Sequence, residues 1–141
     1  MEEKSTADRV RGLIEEKDRL IELFGMQVIE CRAGCSAVRM KVEKNHLNAA
    51  DICHGGTIFA LSDVAFALAS NSHGRIALAL DMSISYLRPV NAGETITARC
   101  RERQRSKRIA TYIIEVSDSS DELVALLKAT SFIKVSLHFK E

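Results

Sequence analysis

The spacing of hydrophobic and polar residues divides the chain into a helical start, a central apolar helix and strand-like runs on both sides of it. Between residues 6 and 24, apolar residues recur at three- and four-residue intervals with Arg and Glu between them, which predicts an amphipathic helix ending at Gly25. Two strand-like runs follow, at 26–31 and 35–42. The short segment between them contains Gly34 and predicts the turn of a hairpin.

The second half of the chain predicts one enclosed helix and four more strands. Residues 43–53 show neither the helical nor the strand periodicity and predict a loop. Residues 54–72 are rich in alanine and apolar on almost every face, which predicts a helix surrounded by protein. The four further strands are predicted at 76–87, 94–105, 109–117 and 123–135. Successive strands without alternating helices predict an α+β fold in which an antiparallel sheet wraps the central helix.

Composition and length favour one domain spanning residues 1–141, with an N-terminal helix at 1–24 and a core at 25–135. No apolar run reaches the roughly 18 residues of a membrane span, and the charged N-terminus lacks an apolar export segment, so we expect a cytoplasmic protein with no membrane partner. The formal net charge of +1 gives no overall field for binding nucleic acid. The four cysteines show no C-x-x-C spacing, which favours reduced thiols and no metal site.

The most informative motif is Asn48-x5-His54-Gly55-Gly56-x6-Asp63, which runs from the loop into the central helix. Two glycines at a helix start allow close approach to the backbone, and the free N–H groups of the first turn lie at the positive end of the helix dipole. Such N–H groups can stabilise an oxyanion. Asp63 is the only ionisable side chain between residues 57 and 72, and a carboxylate in apolar surroundings indicates a task or a partner.

Each residue of the motif also has a structural interpretation. A glycine pair is more often a packing or turn feature than an oxyanion site, and an Asp within a helix more often lies at a solvent-facing edge. His54 could simply cap the helix, and Asn48 could satisfy the backbone of its own loop. The functional hypothesis therefore depends on the combination of the four features.

Two longer stretches, LNAADICHGGTIFALSDVAFALASNS and ISYLRPVNAGETITA, resemble the phenylacetic-acid-degradation-type branch of hotdog-fold acyl-CoA thioesterases. The resemblance extends from about Phe24 to Val135. It implies a hotdog fold in which a six-stranded antiparallel sheet wraps a long helix, with dimers joined edge to edge and often paired into tetramers. It also implies an acyl-CoA substrate and no cofactor. The acyl group stays open among aryl-acetyl, benzoyl-like and medium-chain groups.

The resemblance assigns roles to the motif. Asp63 is implied to be the catalytic carboxylate, as nucleophile or as general base for water, and the Gly55 N–H to be the donor to the thioester oxygen. Asn48 is implied to lie beside the attacking water or the thioester, with His54 shaping the helix start and Gly56 contacting the substrate. A thioester carbonyl is already reactive, so one carboxylate and one preorganised donor suffice.

One departure from the family concerns the residue that orients the carboxylate. Some relatives carry a hydroxyl side chain one helical turn after the Asp, whereas this chain has Ala67. Ser70 is our substitute hypothesis for that role.

A basic segment at 99–108 occupies the second half of the predicted strand 94–105 and the turn after it. Strict alternation predicts that Arg99, Arg101, Arg103 and Arg105 project from one face of the strand, with Ile96, Ala98 and Cys100 on the other. An arginine row is usually the solvated face of a sheet. The turn end, at Arg105, Lys107 and Arg108, carries the hypothesis that these cations bind the phosphates of coenzyme A.

Helix geometry adds a prediction about assembly. Gly55 and Asp63 are eight residues apart, about 12 Å along one helix, so one thioester cannot contact both. A homodimer with shared active sites is therefore predicted, which in a dimer of dimers gives a homotetramer. Two other functions stay open at this point: a hydratase or dehydratase of the same fold with His54 as base, and a non-catalytic acyl-CoA sensor.

Overall fold

The computed structural model describes residues 3–140. The helices are α1 (Thr6–Lys17), α2 (Arg19–Leu23) and α3 (Gly55–Asn71), and a short 3-10 turn lies at Lys44–His46. The strands are β1 (Gln27–Arg32), β2 (Cys35–Lys41), β3 (Arg75–Tyr86), β4 (Thr95–Arg105), β5 (Ile109–Ser117) and β6 (Leu123–Leu137). They form one antiparallel sheet in the order β1-β2-β4-β5-β6-β3, so β1 and β3 are its edges.

The sheet curves around α3 and confirms the predicted hotdog fold. Leu61, Ala65 and Leu68 of α3 are fully buried among side chains from the inner face of the sheet. Phe66 packs edge-on against Tyr112 of β5, with ring centroids 5.4 Å apart. The burial of many such side chains at about 25 cal/mol per Å² supplies the main stabilisation of the fold.

The predicted continuous helix over 6–24 is wrong at its centre. Asp18 has extended backbone angles (φ −78°, ψ 113°) and separates α1 from α2. Its side chain accepts a hydrogen bond of 3.0 Å from the Leu20 N–H, so it caps the second helix. Asp competes for backbone donors in this way, which is why it ends a helix that apolar spacing alone would continue.

The predicted common face of four arginines is also wrong. The β4–β5 pairing shifts by one residue between Glu102 and Gln104, a β-bulge that reverses the faces beyond it. Arg105 therefore lies opposite the buried Ala110, on the helix side of the sheet, whereas Arg99 and Arg101 stay on the outer side.

Helix α3 is less enclosed than its composition predicts. Most of its residues are buried, but one stripe is open to solvent in the single chain. The stripe contains exposed Gly56 and Asp63 and half-buried Phe59, Ala60 and Ala67. These positions lie three or four residues apart, so they share one side of the helix. Asp63 is thus at the surface of the isolated chain.

Candidate active site

The start of α3 leaves one backbone donor free. His54 is the N-cap, and its Nδ1 accepts a 3.2 Å hydrogen bond from the Gly56 N–H. The Thr57 and Ile58 N–H groups both bond to the His54 carbonyl. Within residues 3–140, no acceptor satisfies the Gly55 N–H. Of the glycine pair, Gly55 therefore has a donor available for a ligand and Gly56 does not.

Tyr86, at the end of β3, lies directly against this turn. Its hydroxyl donates a 2.8 Å hydrogen bond to the Gly55 carbonyl. A Cβ atom added to Gly55 would lie 2.9 Å from Tyr86 Cζ, closer than side chains tolerate. A side chain at position 55 would therefore have to displace the Tyr86 ring. Local burial raises the pKa of Tyr86, which keeps its hydroxyl protonated as a donor.

Asn48 organises the loop before the helix, as its structural interpretation predicted. Its Oδ1 accepts hydrogen bonds from the N–H groups of Ala50 (2.9 Å) and Ile52 (3.4 Å). Asn48 and Gly55 line one cleft of about 510 Å³. The other lining side chains are mainly apolar: Ile52, Cys53, Ile58, Tyr86, Leu87, Arg88, Pro89 and Val90. An apolar cleft lined by a residue with a free N–H suits an acyl group with a polar carbonyl.

Asp63 lies outside this cleft, on the open stripe of α3. Partial burial by neighbouring protein atoms raises the pKa of its carboxyl above the ordinary value, and the negative charge of Asp18 adds to the rise. Its carboxylate accepts no hydrogen bond from residues 3–140. A carboxylate with few partners and a raised pKa is suited to take up a proton or to attack a carbonyl.

Ser70 does not fill the orienting role in the single chain. Its hydroxyl bonds to the Ala67 carbonyl of its own helix, and the residue is 3% exposed. It is seven positions beyond Asp63, about 10 Å further along α3.

A second cleft, of about 400 Å³, gathers four cations at the opposite end of β3. It is lined by Arg75, Arg105, Lys107 and Arg108, together with Ser106 and Val135. The predicted phosphate-binding residues are thus brought together, and Arg75 joins them. The bulge in β4 turns Arg105 inward, where its guanidinium lies 3.7 Å from Glu102 Oε1.

Other chemistry is sparse in the described part of the chain. Among residues 3–140, no three His, Cys, Asp or Glu side chains are grouped so that they could hold a metal ion. All four cysteines are free thiols, and burial raises the pKa of Cys31 and Cys53 to about 11. No helix in this range has the length and apolar character that a membrane crossing needs.

Comparison with known proteins matches the thioesterase superfamily over residues 50–125. A protein of Archaeoglobus fulgidus is 45% identical over 125 residues, covering 89% of this chain and 81% of its own. The Escherichia coli acyl-coenzyme A thioesterase PaaI is 38% identical over 116 residues, covering 82% and 83%.

Solved structures agree with these matches. The structure of E. coli PaaI superposes with a TM-score of 0.91 and 34% identity, covering 94% of this chain and 96% of that one. A Streptococcus mutans protein bound to acetyl CoA superposes with a TM-score of 0.75 and 28% identity, covering 77% and 88%.

Two residues of this region were not identified from sequence. Tyr86 lies in the stretch ISYLRPV, where an aromatic residue next to a proline turn is an ordinary strand end. Asp18 falls within the helix predicted over 6–24, although Asp is a preferred helix cap. The sequence contains both residues in recognisable settings, but only the fold shows that Tyr86 lies beside Gly55 and that the charge of Asp18 acts on Asp63.

Proposed function

The chain belongs to the thioesterase superfamily and is an acyl-CoA thioesterase, and from that premise we propose that Asp63 and the Gly55 N–H perform the hydrolysis. The observation that carries the proposal is the unpaired N–H of Gly55, a residue that lines an apolar cleft. A donor there would bind the thioester oxygen as negative charge develops on it. Asp63, as nucleophile or as general base for water, would supply the attack.

The separation of the two groups supports an active site made from two chains. Gly55 and Asp63 are about 12 Å apart along α3, so one thioester cannot contact both groups of the same chain. A thioester bound to Gly55 of one chain would need the Asp63 of a second chain. Tyr86 lies beside Gly55 at one end of α3, and the Ala77 N–H bonds to Asn71 at the other, so β3 runs antiparallel to α3. Antiparallel pairing of β3 with a second β3 would therefore lay two α3 helices side by side in opposite directions.

Such a dimer would complete two equivalent sites. The open stripe of α3 would face the partner's helix, and Gly55 of one chain would approach the partner's Asp63. The free edge of β3 and the open stripe of α3 both favour this arrangement, because each leaves groups that a partner would satisfy. A pair of such dimers would give the homotetramer.

The cationic cleft supports coenzyme A recognition. The two-fold pairing of β3 would bring the start of one β3 towards the Gly55 cleft of the other chain. Arg75 lies at that start, and Arg105 of β4 lines the same cationic cleft. Guanidinium groups bind phosphate through paired hydrogen bonds, and Lys107 and Arg108 would add charge. The acyl group would occupy the apolar cleft, which suits small aryl-acyl or medium-chain groups such as those of phenylacetate degradation.

The experiment that tests the proposal is a thiol-release assay on Asp63→Asn across acyl-CoA esters of differing chain and ring size. Asn keeps the size of the side chain and removes the attacking group, so we expect a loss of about 10²-fold or more in kcat. Because burial raises the pKa of the Asp63 carboxyl, the neutral side chain should not lower the melting temperature at pH 7. Near-normal turnover by a folded Asp63→Asn protein would contradict the assignment.

A further inference from the structure

Two neighbouring glycines make the first turn of α3 the least constrained backbone of any helix start in the described chain. The N-terminal turn of a helix also lacks intrahelical partners for its N–H groups and tends to fray. A catalytic donor needs the opposite property, because a preorganised N–H pays no reorganisation cost when charge develops. Something outside the helix must therefore hold Gly55 in place.

We propose that Tyr86 is a positioning residue for the thioesterase reaction, whose hydroxyl fixes the Gly55–Gly56 peptide and so limits the rotation of the Gly55 backbone that would turn its free N–H away from the thioester oxygen. The inference rests on the proposed function of Gly55. The 2.8 Å bond from the Tyr86 hydroxyl to the Gly55 carbonyl and the 3.2 Å bond from the Gly56 N–H to His54 Nδ1 both hold the peptide that follows Gly55. Two N–H groups of the first turn bond to the His54 carbonyl and hold the preceding peptide, which carries the Gly55 N–H. With both flanking peptides held, the direction of the Gly55 N–H is fixed.

The fit between the two residues shows how tightly this restraint is built. The Tyr86 ring fills the space that a Cβ of residue 55 would need, with Cζ, Oη and Cε1 at 2.9, 3.0 and 3.3 Å from it. The ring is also a wall of the cleft and is half exposed, so one face is open to an acyl group. Tyr86 thus contacts both the donor residue and the space for the substrate.

The test removes only the hydroxyl, with Tyr86→Phe. One hydrogen bond of ordinary strength predicts a fall in kcat of roughly 3- to 10-fold on a hydrolysed acyl-CoA, with KM and melting temperature little changed. The matched control is Tyr112→Phe, which deletes the chain's other phenolic hydroxyl, bonded at 3.0 Å to Glu102 away from the cleft. We expect that variant to lower the melting temperature and to leave kcat near wild type.

A second measurement tests the contact through Gly55. Gly55→Ala should lower kcat strongly in the wild-type background, because its methyl group displaces the ring. In a Tyr86→Ala background, the same change should cost much less, so that the two effects are not additive. This double-mutant cycle also tests the positioning role of Tyr86 if Tyr86→Phe folds poorly.

The outcomes separate this inference from the proposed function. If Asp63→Asn is inactive while Tyr86→Phe keeps wild-type kcat, or if the Gly55 and Tyr86 effects simply add, the positioning role is overturned and the thioesterase site stands. If Asp63→Asn itself stays active, the proposed function fails first. A loss of kcat in Tyr86→Phe with unchanged KM, together with near-wild-type kcat in Tyr112→Phe, supports the inference.

Discussion

The negative charge of Asp18, the residue that separates α1 from α2, contributes to the raised pKa of Asp63 of α3. Burial is the larger cause of the raised pKa of Asp63, and the charge of Asp18 is the second. A segment outside the sheet and its central helix therefore influences the candidate catalytic carboxylate.

The pH dependence of hydrolysis should report this effect of Asp18. In the proposed mechanism Asp63 acts in its ionised form, so activity should fall as pH drops through its raised pKa. Asp18→Asn removes the neighbouring charge and should move the acid limb of the kcat/KM profile to lower pH. The control is Glu16→Gln, which removes an exposed carboxylate from α1. An acid limb identical in wild type and Asp18→Asn would contradict this effect of Asp18 on Asp63.

Subunit mixing should restore activity if the site is shared between chains. Asp63→Ala and Gly55→Pro should each be inactive as homodimers, since proline deletes the N–H at a helix start that otherwise tolerates it. Its ring also collides with Tyr86, which confines the damage to the same cleft. After random co-refolding, half the dimers would be mixed with one intact site of two, so about a quarter of wild-type activity should return. Continued inactivity despite demonstrated subunit exchange would show that the donor and the carboxylate act within one chain.

The cationic cleft should contribute to KM. Replacing Lys107 and Arg108 by Ala should raise KM for an acyl-CoA well above the change seen with a truncated acyl thioester lacking the nucleotide. Phosphate contacts far from the carbonyl supply uniform binding and leave kcat nearly unchanged. The matched control replaces Arg99 and Arg101, which lie on the outer face of the sheet before the bulge. Equal effects on both substrates would show that Lys107 and Arg108 do not bind the nucleotide of coenzyme A.

Arg88 should stabilise the fold in a pH-dependent manner. Its guanidinium pairs with Glu94 at 2.9 Å and also with Asp118, joining the start of β4 to the β5–β6 turn. Hydrogen bonds from Arg88 lower the pKa of both carboxyls. Groups with a lowered pKa contribute stability above their ordinary pKa that is lost as pH falls through the folded one. Arg88→Met should therefore lower the melting temperature at pH 7 and much less near pH 3, and a constant difference would exclude the ion pairs as the cause.

The sequence predicts the architecture well because periodicity reports burial directly. The predicted central helix at 54–72 is observed as Gly55–Asn71 with His54 and Ser72 as caps, and all six strands lie where alternation placed them. The errors arise where one residue changes the local geometry. A single cap at Asp18 divides a helix, and one additional residue near Arg103 reverses the faces of β4.

The chemistry of the candidate site was less accessible to sequence. The motif from Asn48 to Asp63 contains the candidate groups, but only the hydrogen-bond pattern shows that the Gly55 N–H is free and the Gly56 N–H is not. Tyr86 is 31 residues from Gly55 along the chain, and no periodicity relates the two. Contacts between distant segments are consequences of the fold, so they become visible only once the sheet has closed around the helix.

The unpaired edge of β3 affects how readily newly synthesised chains aggregate. A strand of 12 residues with one open edge is a template on which any extended chain can add, so newly made copies risk misassembly and aggregation. In the proposed dimer the partner's β3 covers this edge, so the hazard falls on chains that have not yet assembled. Until then the exposed charge of Asp81, near the middle of β3, opposes the addition of unrelated apolar strands. Asp81→Val should therefore raise the insoluble fraction on expression.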